Sequence, residues 1–419
     1  MIDTSRLNQR VVITGIGPVT PIGIGVDAFW DSLRNGRSGV ERIQAYDPSA
    51  EKVQIAAEVL DFDPESRIEP KAAKRMARFA QMAVVAARLA LDDSGLDLGD
   101  VDRDRVAAVI NSGGGGVTTI ATATETMARR GSGRVSPFFV PLMAMNMASC
   151  QVSIELGLGG PAVTSAAACA SSIYAFQDAS VMMRLNEADL AFSGGTESNI
   201  SVLGIAGLAN MHALSRDNDN PPGASRPFDQ TRNGFVFGEG AVVCLLESLE
   251  SAERRGARIY AEVLGAGRSA DAYHITRPQP EGIGAARAMR LALDDAGLEP
   301  PEVDYICAHG TSTQLNDLAE TIAIKTVFGE HAGRLAVSSP KSMTGHLMGA
   351  AGALSLAATA LALHHGELPP TINLHTPDPE CDLDYVPNTA RRSQAKVALA
   401  NGFGFGGQNA VVALGKLDR

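Results

Sequence analysis

One cysteine stands at the junction of a predicted strand and a predicted helix. Cys169 follows the strand-like run Pro161–Ser165 and precedes the helix-like segment Ala170–Leu185. The free N–H groups and the dipole at a helix start favour the thiolate, a nucleophile that can form a thioester. From position alone, the alternative of a small buried hydrophobic residue stays open. The position of the other four cysteines does not favour a nucleophilic role; they are Cys150, Cys244, Cys307 and Cys381.

Two histidines also lie where apolar elements begin or end. His309 opens the sequence HGTST after a strand-like run, and His346 closes KSMTGH before a long apolar segment. Either histidine alone is more often a hydrogen-bonded structural residue. An internal repeat, however, gives His346 roughly the position that Cys169 holds in the first half of the chain. We therefore expect the three side chains to face one pocket.

The repeat itself predicts the architecture. Arg88–Leu96 reads RLALDDSGL and Arg290–Leu298 reads RLALDDAGL, so eight of nine positions are identical. Each copy ends a helix-like segment at a glycine, as helix C-caps often do. Strand-like and helix-like runs alternate in the same order around both copies, with a period of about 200 residues that is too long for a solenoid. This predicts two similar α/β halves joined near Glu250–Gly256, with helices covering mostly parallel strands.

Charge and apolar segments restrict the partners. The 419 residues carry a net charge of −11, which argues against a nucleic acid as the main partner. The N-terminal residues lack the apolar core of a signal peptide. Leu347–Leu363 is uncharged over 17 residues but falls short of a bilayer span and is rich in Ala and Gly, so it predicts a buried helix. Five cysteines without metal-ligand spacing fit a reducing cytoplasm and predict no metal site.

A glycine-rich segment near the C-terminus resembles a dinucleotide-binding motif. Gly402–Gly407 reads GFGFGG and follows a strand-like run, but only 12 residues come after it, too few for a βαβ unit. We expect these glycines to let the backbone approach the pocket closely.

The chain resembles the condensing enzymes of the thiolase fold, specifically the elongating β-ketoacyl-acyl-carrier-protein synthases of type II systems. The resemblance implies an α/β thiolase-like fold, with two duplicated halves and mixed sheets in a layered αβαβα arrangement. It also implies domains at residues 1–255, carrying the nucleophile, and 256–419, carrying both histidines. The matching segments run nearly end to end: VVITGIGPVTPIG from Val11, VSPFFVP from Val135, AAACASS around Cys169, SRPFDQTRNGFVFGEGA from Ser225, AHGTST around His309, KSMTGH from Lys341, PPTINL from Pro369 and NGFGFGGQN from Asn401.

The resemblance assigns chemistry to the three pocket residues. Cys169 takes an acyl group from an acyl carrier protein. His309 and His346 hydrogen-bond the malonyl thioester carbonyl and stabilise the enolate that remains after CO2 departs.

Three further residues have implied supporting roles. Lys341 tunes the histidines and is held by an acidic partner, for which Glu320 is the matching position. Phe405 matches a gating residue beside the cysteine, and its backbone N–H completes an oxyanion hole with that of Cys169.

Several positions depart from the pattern of fatty-acid elongation. Gly114 stands where a bulkier residue usually forms the floor of the acyl pocket, and Leu208 replaces a phenylalanine. Both changes remove volume and suggest a longer or differently shaped acyl channel, so fatty-acid and polyketide or polyene pathways both stay open. The other departures are Ser172, His212 and Ser355.

Related activities are distinguished by the same residues. A thiolase would carry a second cysteine in the C-terminal glycine loop, where this chain has Phe403 and Phe405. An initiating synthase would have asparagine in place of His346. A chain-length factor or non-catalytic scaffold would not need Cys169, and this remains the alternative to an enzyme.

The implied partner is acyl carrier protein, an acidic protein whose phosphopantetheine arm carries the substrates, so no separate cofactor is expected. Its docking requires a basic patch despite the net negative charge. An ordinary solvated helix face is the competing interpretation of the basic residues. A homodimer, or a heterodimer with a chain-length factor, is also implied. The candidate docking residues are Lys71, Lys74, Arg75, Arg78 and Arg134.

Overall fold

The strand-like runs of both halves form strands. The computed structural model describes Leu7 and residues 9–417. Runs of β-branched and small apolar residues build the central strands, whose side chains are almost all buried. The strands are β1 (Val11–Thr20), β2 (Gly23–Ile24), β3 (Glu41–Arg42), β4 (Ile55–Ala56), β5 (Val106–Asn111), β6 (Ala162–Val163), β7 (Leu190–Glu197), β8 (Gly240–Ser248), β9 (Ala261–Ala270), β10 (Tyr305–Cys307), β11 (Ala336–Ser338), β12 (Glu367–Leu368), β13 (Arg391–Arg392), β14 (Val397–Gly404) and β15 (Gln408–Gly415).

Both copies of the repeat end a helix at a left-handed glycine. Gly95 has φ 64° and Gly297 has φ 66°, a conformation that glycine adopts without strain. The helices are α1 (Val26–Arg34), α2 (Pro70–Ala73), α3 (Arg78–Ser94), α4 (Val117–Arg130), α5 (Phe139–Met143), α6 (Met147–Leu156), α7 (Ser171–Arg184), α8 (Val202–Asn210), α9 (Leu249–Arg254), α10 (Ile283–Ala296), α11 (Gln314–Phe328), α12 (Lys341–Thr344) and α13 (Ala351–His365).

The two halves have the same strand order. In the first half the order is β6-β5-β7-β8-β1, and in the second it is β11-β10-β14-β15-β9. In each set the first three strands are parallel and the last two are antiparallel to their neighbours. A short antiparallel pairing of Val11–Ile13 with Ala261–Val263 joins the sets into one sheet. The predicted duplication is therefore confirmed, whereas the domain division at residues 255/256 stays a prediction.

The helices form three layers around these strands. α7 and α13 contact strands of both halves and lie between them, whereas α3 packs on the first set from outside and α10 on the second. Small side chains suit the middle layer, because two helices and two faces of sheet must approach closely. The predicted αβαβα arrangement results, and it brings the starts of α7 and α13 together at the centre.

The long apolar segment is a core helix, as predicted. It forms a short 3₁₀ turn followed by α13, and every α13 residue from Ala351 to Leu363 is buried. Within the part of the chain that the structure describes, no helix is long and apolar enough to cross a membrane.

Candidate active site

Cys169 lies in the turn that leads into α7. The turn is a 3₁₀ segment, Ala168–Ala170, and Ala168 takes a left-handed conformation with φ 47°. The cysteine side chain is 3% exposed. Backbone N–H groups of Phe405 and of Cys169 itself face the sulfur and favour its anion, but burial dominates and raises the pKa of the thiol to about 11. Desolvation thus outweighs the effect of the helix start, and the thiolate expected from the sequence is not the favoured resting form.

The two predicted histidines do converge on this cysteine. The sulfur and one ring nitrogen of each histidine lie within 4.8 Å of one another. The imidazole rings of His309 and His346 meet edge to face, with centroids 5.3 Å apart. Burial, the nearby Lys341 charge and, for His309, the second histidine hold both imidazole pKa values well below the usual 6.5. Both rings are therefore neutral at pH 7.

A backbone contact fixes the tautomer of His346. The N–H of Met348 donates to His346 Nδ1 over 3.2 Å. Since Nδ1 accepts, the proton resides on Nε2, which makes that atom a hydrogen-bond donor. The His309 ring makes no hydrogen bond to another described residue, so either tautomer is open to it.

The structural counterpart of Cys169 differs from the one expected. Met348 has φ 45° and precedes Gly349 in the 3₁₀ turn before α13, just as Ala168 precedes Cys169 before α7. Gly349, rather than His346, therefore corresponds to Cys169. His346 lies three residues earlier in the chain, a spacing that its reach to Cys169 requires.

Lys341 is a buried cation behind the histidines. Its side chain is 1% exposed, and its ammonium has no hydrogen-bond partner among the described residues. Burial lowers the pKa of this ammonium, while Cys307, Glu320 and Cys169 act in the opposite direction. Its charge depresses the pKa of both imidazoles, which agrees with the tuning role implied by the resemblance.

Glu320 holds a different group from the one expected. Its two carboxylate oxygens each accept a backbone N–H over 2.8 Å, from His309 and Gly310, and Asn401 Nδ2 donates at 3.0 Å. It makes no ion pair with Lys341 in the described part of the chain, although its charge raises the pKa of the Lys341 ammonium. Glu320 therefore supports the site by fixing the loop that carries His309.

The glycine loop approaches the cysteine as predicted. A Cβ at Gly404 would lie 2.5 Å from the Ala167 carbonyl oxygen, so only glycine permits this approach. The approach brings Phe405 N–H to the sulfur. Two N–H groups beside the sulfur are placed to serve as an oxyanion hole for the carbonyl oxygen of an acyl group bound there.

A first cavity of about 610 Å³ opens onto this site. Cys169, both histidines and Phe405 line it, together with Arg277, an exposed cation. Phe405 also packs against a buried apolar cluster, as do Leu208 and Met348. Phe405 is thus placed between the first cavity and that cluster, as a gating residue would be.

The two residues assigned to the acyl pocket lie on different surfaces. Leu208 packs against the same apolar cluster as Phe405. Gly114 lines neither the first cavity nor the second cavity, which is described below. The Asn199 amide fills the space beside it, since a Cβ at Gly114 would lie 2.5 Å from Asn199 Nδ2. The acyl-pocket role of both residues stays a prediction.

Ser172 joins the two central helices. Its buried hydroxyl accepts the N–H of Ala353 in the first turn of α13 over 2.7 Å. The side chain fits beside Gly352, where a Cβ would lie 2.9 Å from Ser172 Oγ. The serine that replaces a usual glycine therefore caps a helix of the other half.

The remaining departures lie apart from one another. His212 lines the first cavity, has φ 56° and contacts Arg216 through Nδ1 at 3.0 Å. Ser355 is buried, and its hydroxyl has no hydrogen-bond partner in the described residues.

All five members of the predicted basic patch are exposed. Arg78 also pairs with the buried Glu239 at 2.7 Å. The Arg75 guanidinium lies over the Phe138 ring at 5.5 Å. The other three members are Lys71, Lys74 and Arg134.

Sequence reasoning missed Glu197, a buried carboxyl close to the nucleophile. It is 1% exposed, and its Oε2 accepts N–H groups of Gly113 at 2.9 Å and Gly349 at 3.1 Å. Burial raises the pKa of this carboxyl to about 7. The only available signal was an acidic residue two positions after the run LAFSGG, at the end of a predicted strand.

The donor atoms at the centre would also suit a metal ion. A thiolate and two imidazoles form a typical ligand set for zinc. A sulfur that ligates a metal could not form a thioester, so the two uses exclude each other.

Comparison with known proteins shows the family of the chain. Models of the β-ketoacyl synthase N-terminal and C-terminal domains match residues 8–252 and 260–375. The chain belongs to the β-ketoacyl synthase family. These enzymes are acyltransferases.

Relatives of both sequence and structure agree over nearly the full length. The chain is 47% identical to 3-oxoacyl-[acyl-carrier-protein] synthase 2 of Staphylococcus aureus, covering 98% of this chain and 99% of that one. The corresponding enzyme of Coxiella burnetii is also 47% identical, with the same coverage. The ishigamide ketosynthase/chain length factor structure is 40% identical, with a TM-score of 0.91 over 98% of this chain and 100% of the other. A type II polyketide ketosynthase complexed with its acyl-carrier protein and bound to a hexaketide is 33% identical, with a TM-score of 0.89 and the same coverage.

Proposed function

We propose that this β-ketoacyl synthase elongates an acyl chain by decarboxylative condensation with malonyl-acyl-carrier protein. One observation carries the proposal: a thiol flanked by two backbone N–H groups lies within 4.8 Å of two neutral imidazoles in a cavity. The full-length relatives named as 3-oxoacyl-acyl-carrier-protein synthases support the same reaction.

In the first half-reaction, Cys169 sulfur attacks the acyl thioester and the carrier thiol departs. The thiol must lose its proton, because burial keeps its pKa high. The neutral imidazole of His309 can accept that proton and pass it to the departing carrier sulfur. The N–H groups of Cys169 and Phe405 stabilise the oxyanion of the tetrahedral intermediate.

In the second half-reaction, malonyl-carrier loses CO2. The breaking carbon–carbon bond leaves its electron pair as an enolate, whose oxygen accepts hydrogen bonds from His346 Nε2 and from His309. The enolate carbon then attacks the acyl carbonyl on Cys169, and the thiolate departs. The products are a β-ketoacyl-carrier, two carbons longer, and CO2, and the Cys169 thiolate takes up a proton from water.

Mass spectrometry of the carrier-bound products tests this function. We expect wild type to convert acyl- and malonyl-carrier into a β-ketoacyl-carrier. Cys169→Ala should abolish acyl transfer, whereas Cys150→Ala, which removes a half-buried thiol outside the cavity, should retain it. Normal condensation by Cys169→Ala would exclude Cys169 as the nucleophile, whereas no condensation by the wild-type chain alone would support a scaffold role.

We also propose a docking surface for the carrier protein. The docking residues predicted from the sequence are exposed but do not line the first cavity; they are Lys71, Lys74, Arg75 and Arg134. Arg277 is an exposed cation that does line this cavity. A charge at the cavity suits the phosphate of the phosphopantetheine arm, which must enter there.

Charge reversal separates these surfaces. Lys74→Glu should raise KM for malonyl-carrier but not for malonyl-phosphopantetheine, which lacks the protein but keeps the phosphate. Arg277→Glu should raise KM for both substrates, whereas Lys416→Glu at an exposed remote position should change neither. An unchanged KM in Lys74→Glu and the other patch variants would refute docking there.

A second subunit is the remaining proposed partner. Helices α4 and α5 have no buried residue, and they expose several large apolar side chains, as does the start of α8. A patch of this kind is typical of a subunit interface. We propose a homodimer, or a heterodimer with a chain-length factor, to be tested by light scattering of the chain alone and with such a partner. The apolar side chains are Ile120, Met127, Phe138, Val140, Met145, Val202 and Leu203.

A further inference from the structure

A polar side chain occupies the space beside Gly114. Asn199 is 6% exposed, and its Nδ2 donates a hydrogen bond to Glu197 Oε1. Its other amide atom, Oδ1, is buried and has no hydrogen-bond partner in the described residues. A buried acceptor without a partner is uncommon and calls for an explanation.

Glu197 fixes the orientation of this amide. Its second oxygen is already held by the N–H groups of Gly113 and Gly349, and the carboxyl is 1% exposed. The other oxygen, Oε1, accepts a hydrogen bond from the NH2 end of Asn199. The acceptor Oδ1 is therefore directed away from Glu197.

This pair lies between the nucleophile turn and a second cavity. On one side, a Cβ at Gly113 would lie 3.5 Å from the carbonyl oxygen of Ala168, the residue before Cys169. On the other side, Ser198 and Ile200, the two neighbours of Asn199 in the chain, line a cavity of about 1110 Å³. Asn199 itself lines neither cavity, but a chain that passed from Cys169 to the second cavity on this side would run beside it.

The chemistry of the unpaired oxygen restricts what can lie against it. A hydroxyl or an enolised ketone can donate a hydrogen bond to it, whereas a saturated hydrocarbon leaves it desolvated and unpaired. Sites built around a buried polar group discriminate strongly against analogues that lack the matching group.

We propose that Asn199 is a specificity-determining residue that selects acyl chains bearing a hydroxyl or enol group over saturated chains. The inference rests on the proposed condensation and narrows its substrate class to oxygenated, polyketide-like chains. The second cavity, whose wall includes Thr118, Thr119 and Thr122, offers such a chain additional hydroxyl partners.

Competition between matched acyl donors tests the inference. The donors are octanoyl-carrier and its 3-, 5- and 7-hydroxy derivatives, and the measurement is kcat/KM for condensation with malonyl-carrier. Wild type should prefer at least one hydroxy isomer over octanoyl-carrier by about 5- to 100-fold. Asn199→Leu, of similar size but apolar, should remove or invert that preference. Asn35→Leu, at the exposed end of α1, should retain it.

The outcomes are distinct. A wild type that prefers octanoyl-carrier over every hydroxy isomer refutes the inference, as does an Asn199→Leu protein with the wild-type preference. If Asn199→Leu does not fold, Asn199→Ala, which also removes the acceptor, and the wild-type ratio decide in its place. Condensation of all donors at equal rates refutes only the role of Asn199, whereas no condensation with any donor refutes the proposed function as well.

Discussion

Replacing Glu197 by glutamine should stabilise this protein above neutral pH. Burial raises the pKa of the carboxyl from 4.5 to about 7, because hydrogen bonds from Gly349, Gly113, Gly114 and Asn199 offset its desolvation only in part. A carboxyl with a raised pKa in the folded state makes no stability difference below pH 4.5, where both states bind its proton. Stability is then lost as pH rises through the folded-state pKa near 7.

The size of the effect follows from the same values. One pKa unit corresponds to about 1.4 kcal/mol, so the ionised carboxyl costs the folded state about 3 kcal/mol above pH 7. Glutamine removes this cost and keeps one oxygen to accept the N–H groups of Gly113 and Gly349. Its amide NH2 can donate to Asn199 once that side chain turns its unpaired oxygen toward it.

Urea denaturation of both proteins from pH 4 to pH 9 measures the effect. We expect the unfolding free energy of Glu197→Gln, relative to wild type, to increase by about 3 kcal/mol between the two ends of this range. Thr196→Val, a non-titrating change in the same buried strand, should shift stability by an amount that does not vary with pH. A difference between Glu197→Gln and wild type that stays constant from pH 5 to pH 8 would refute the argument.

The remaining predictions concern the reacting groups and the acyl channel. Cys169 should be alkylated by an epoxide inhibitor of the cerulenin type faster than any other cysteine, and peptide mapping that placed the adduct on Cys150 or Cys307 would contradict the assignment. His309→Ala and His346→Ala should each slow malonyl decarboxylation by about 10²–10³-fold, whereas Cys169→Ala should retain this step. The measurement is CO2 release, and normal release by both histidine variants would exclude their role. Gly114→Phe should suppress condensation of long acyl donors more than short ones, whereas equal loss of kcat/KM at all lengths would exclude a pocket role. Condensation should be unchanged after dialysis against EDTA, and loss of activity restored by Zn²⁺ would show that the Cys169 site uses a metal.

The sequence by itself determined the architecture and the central residues. The repeated segments and their glycine C-caps are local signals, and they gave the duplicated halves and the core helix α13. Cys169 and His309 follow strand ends, and the carboxyl ends of neighbouring strands must meet at one edge of a sheet, so a shared pocket could be anticipated. The positions of Cys169 and His309 follow from local strand and helix signals, together with the usual packing of helices on the faces of a sheet.

Only the tertiary structure decided the partners of the buried polar groups. Glu197 binds Gly349, which lies 152 residues away in the chain, and Ser172 caps a helix 181 residues away. The resemblance pointed to Glu320 as the partner of Lys341, but the carboxylate is occupied by the N–H groups of its own loop. The pKa of Cys169 was likewise not a local property, since burial by distant segments outweighs the helix start. Hydrogen bonding and desolvation depend on distances of a few ångströms between segments far apart in the chain, and only the packed structure fixes these distances.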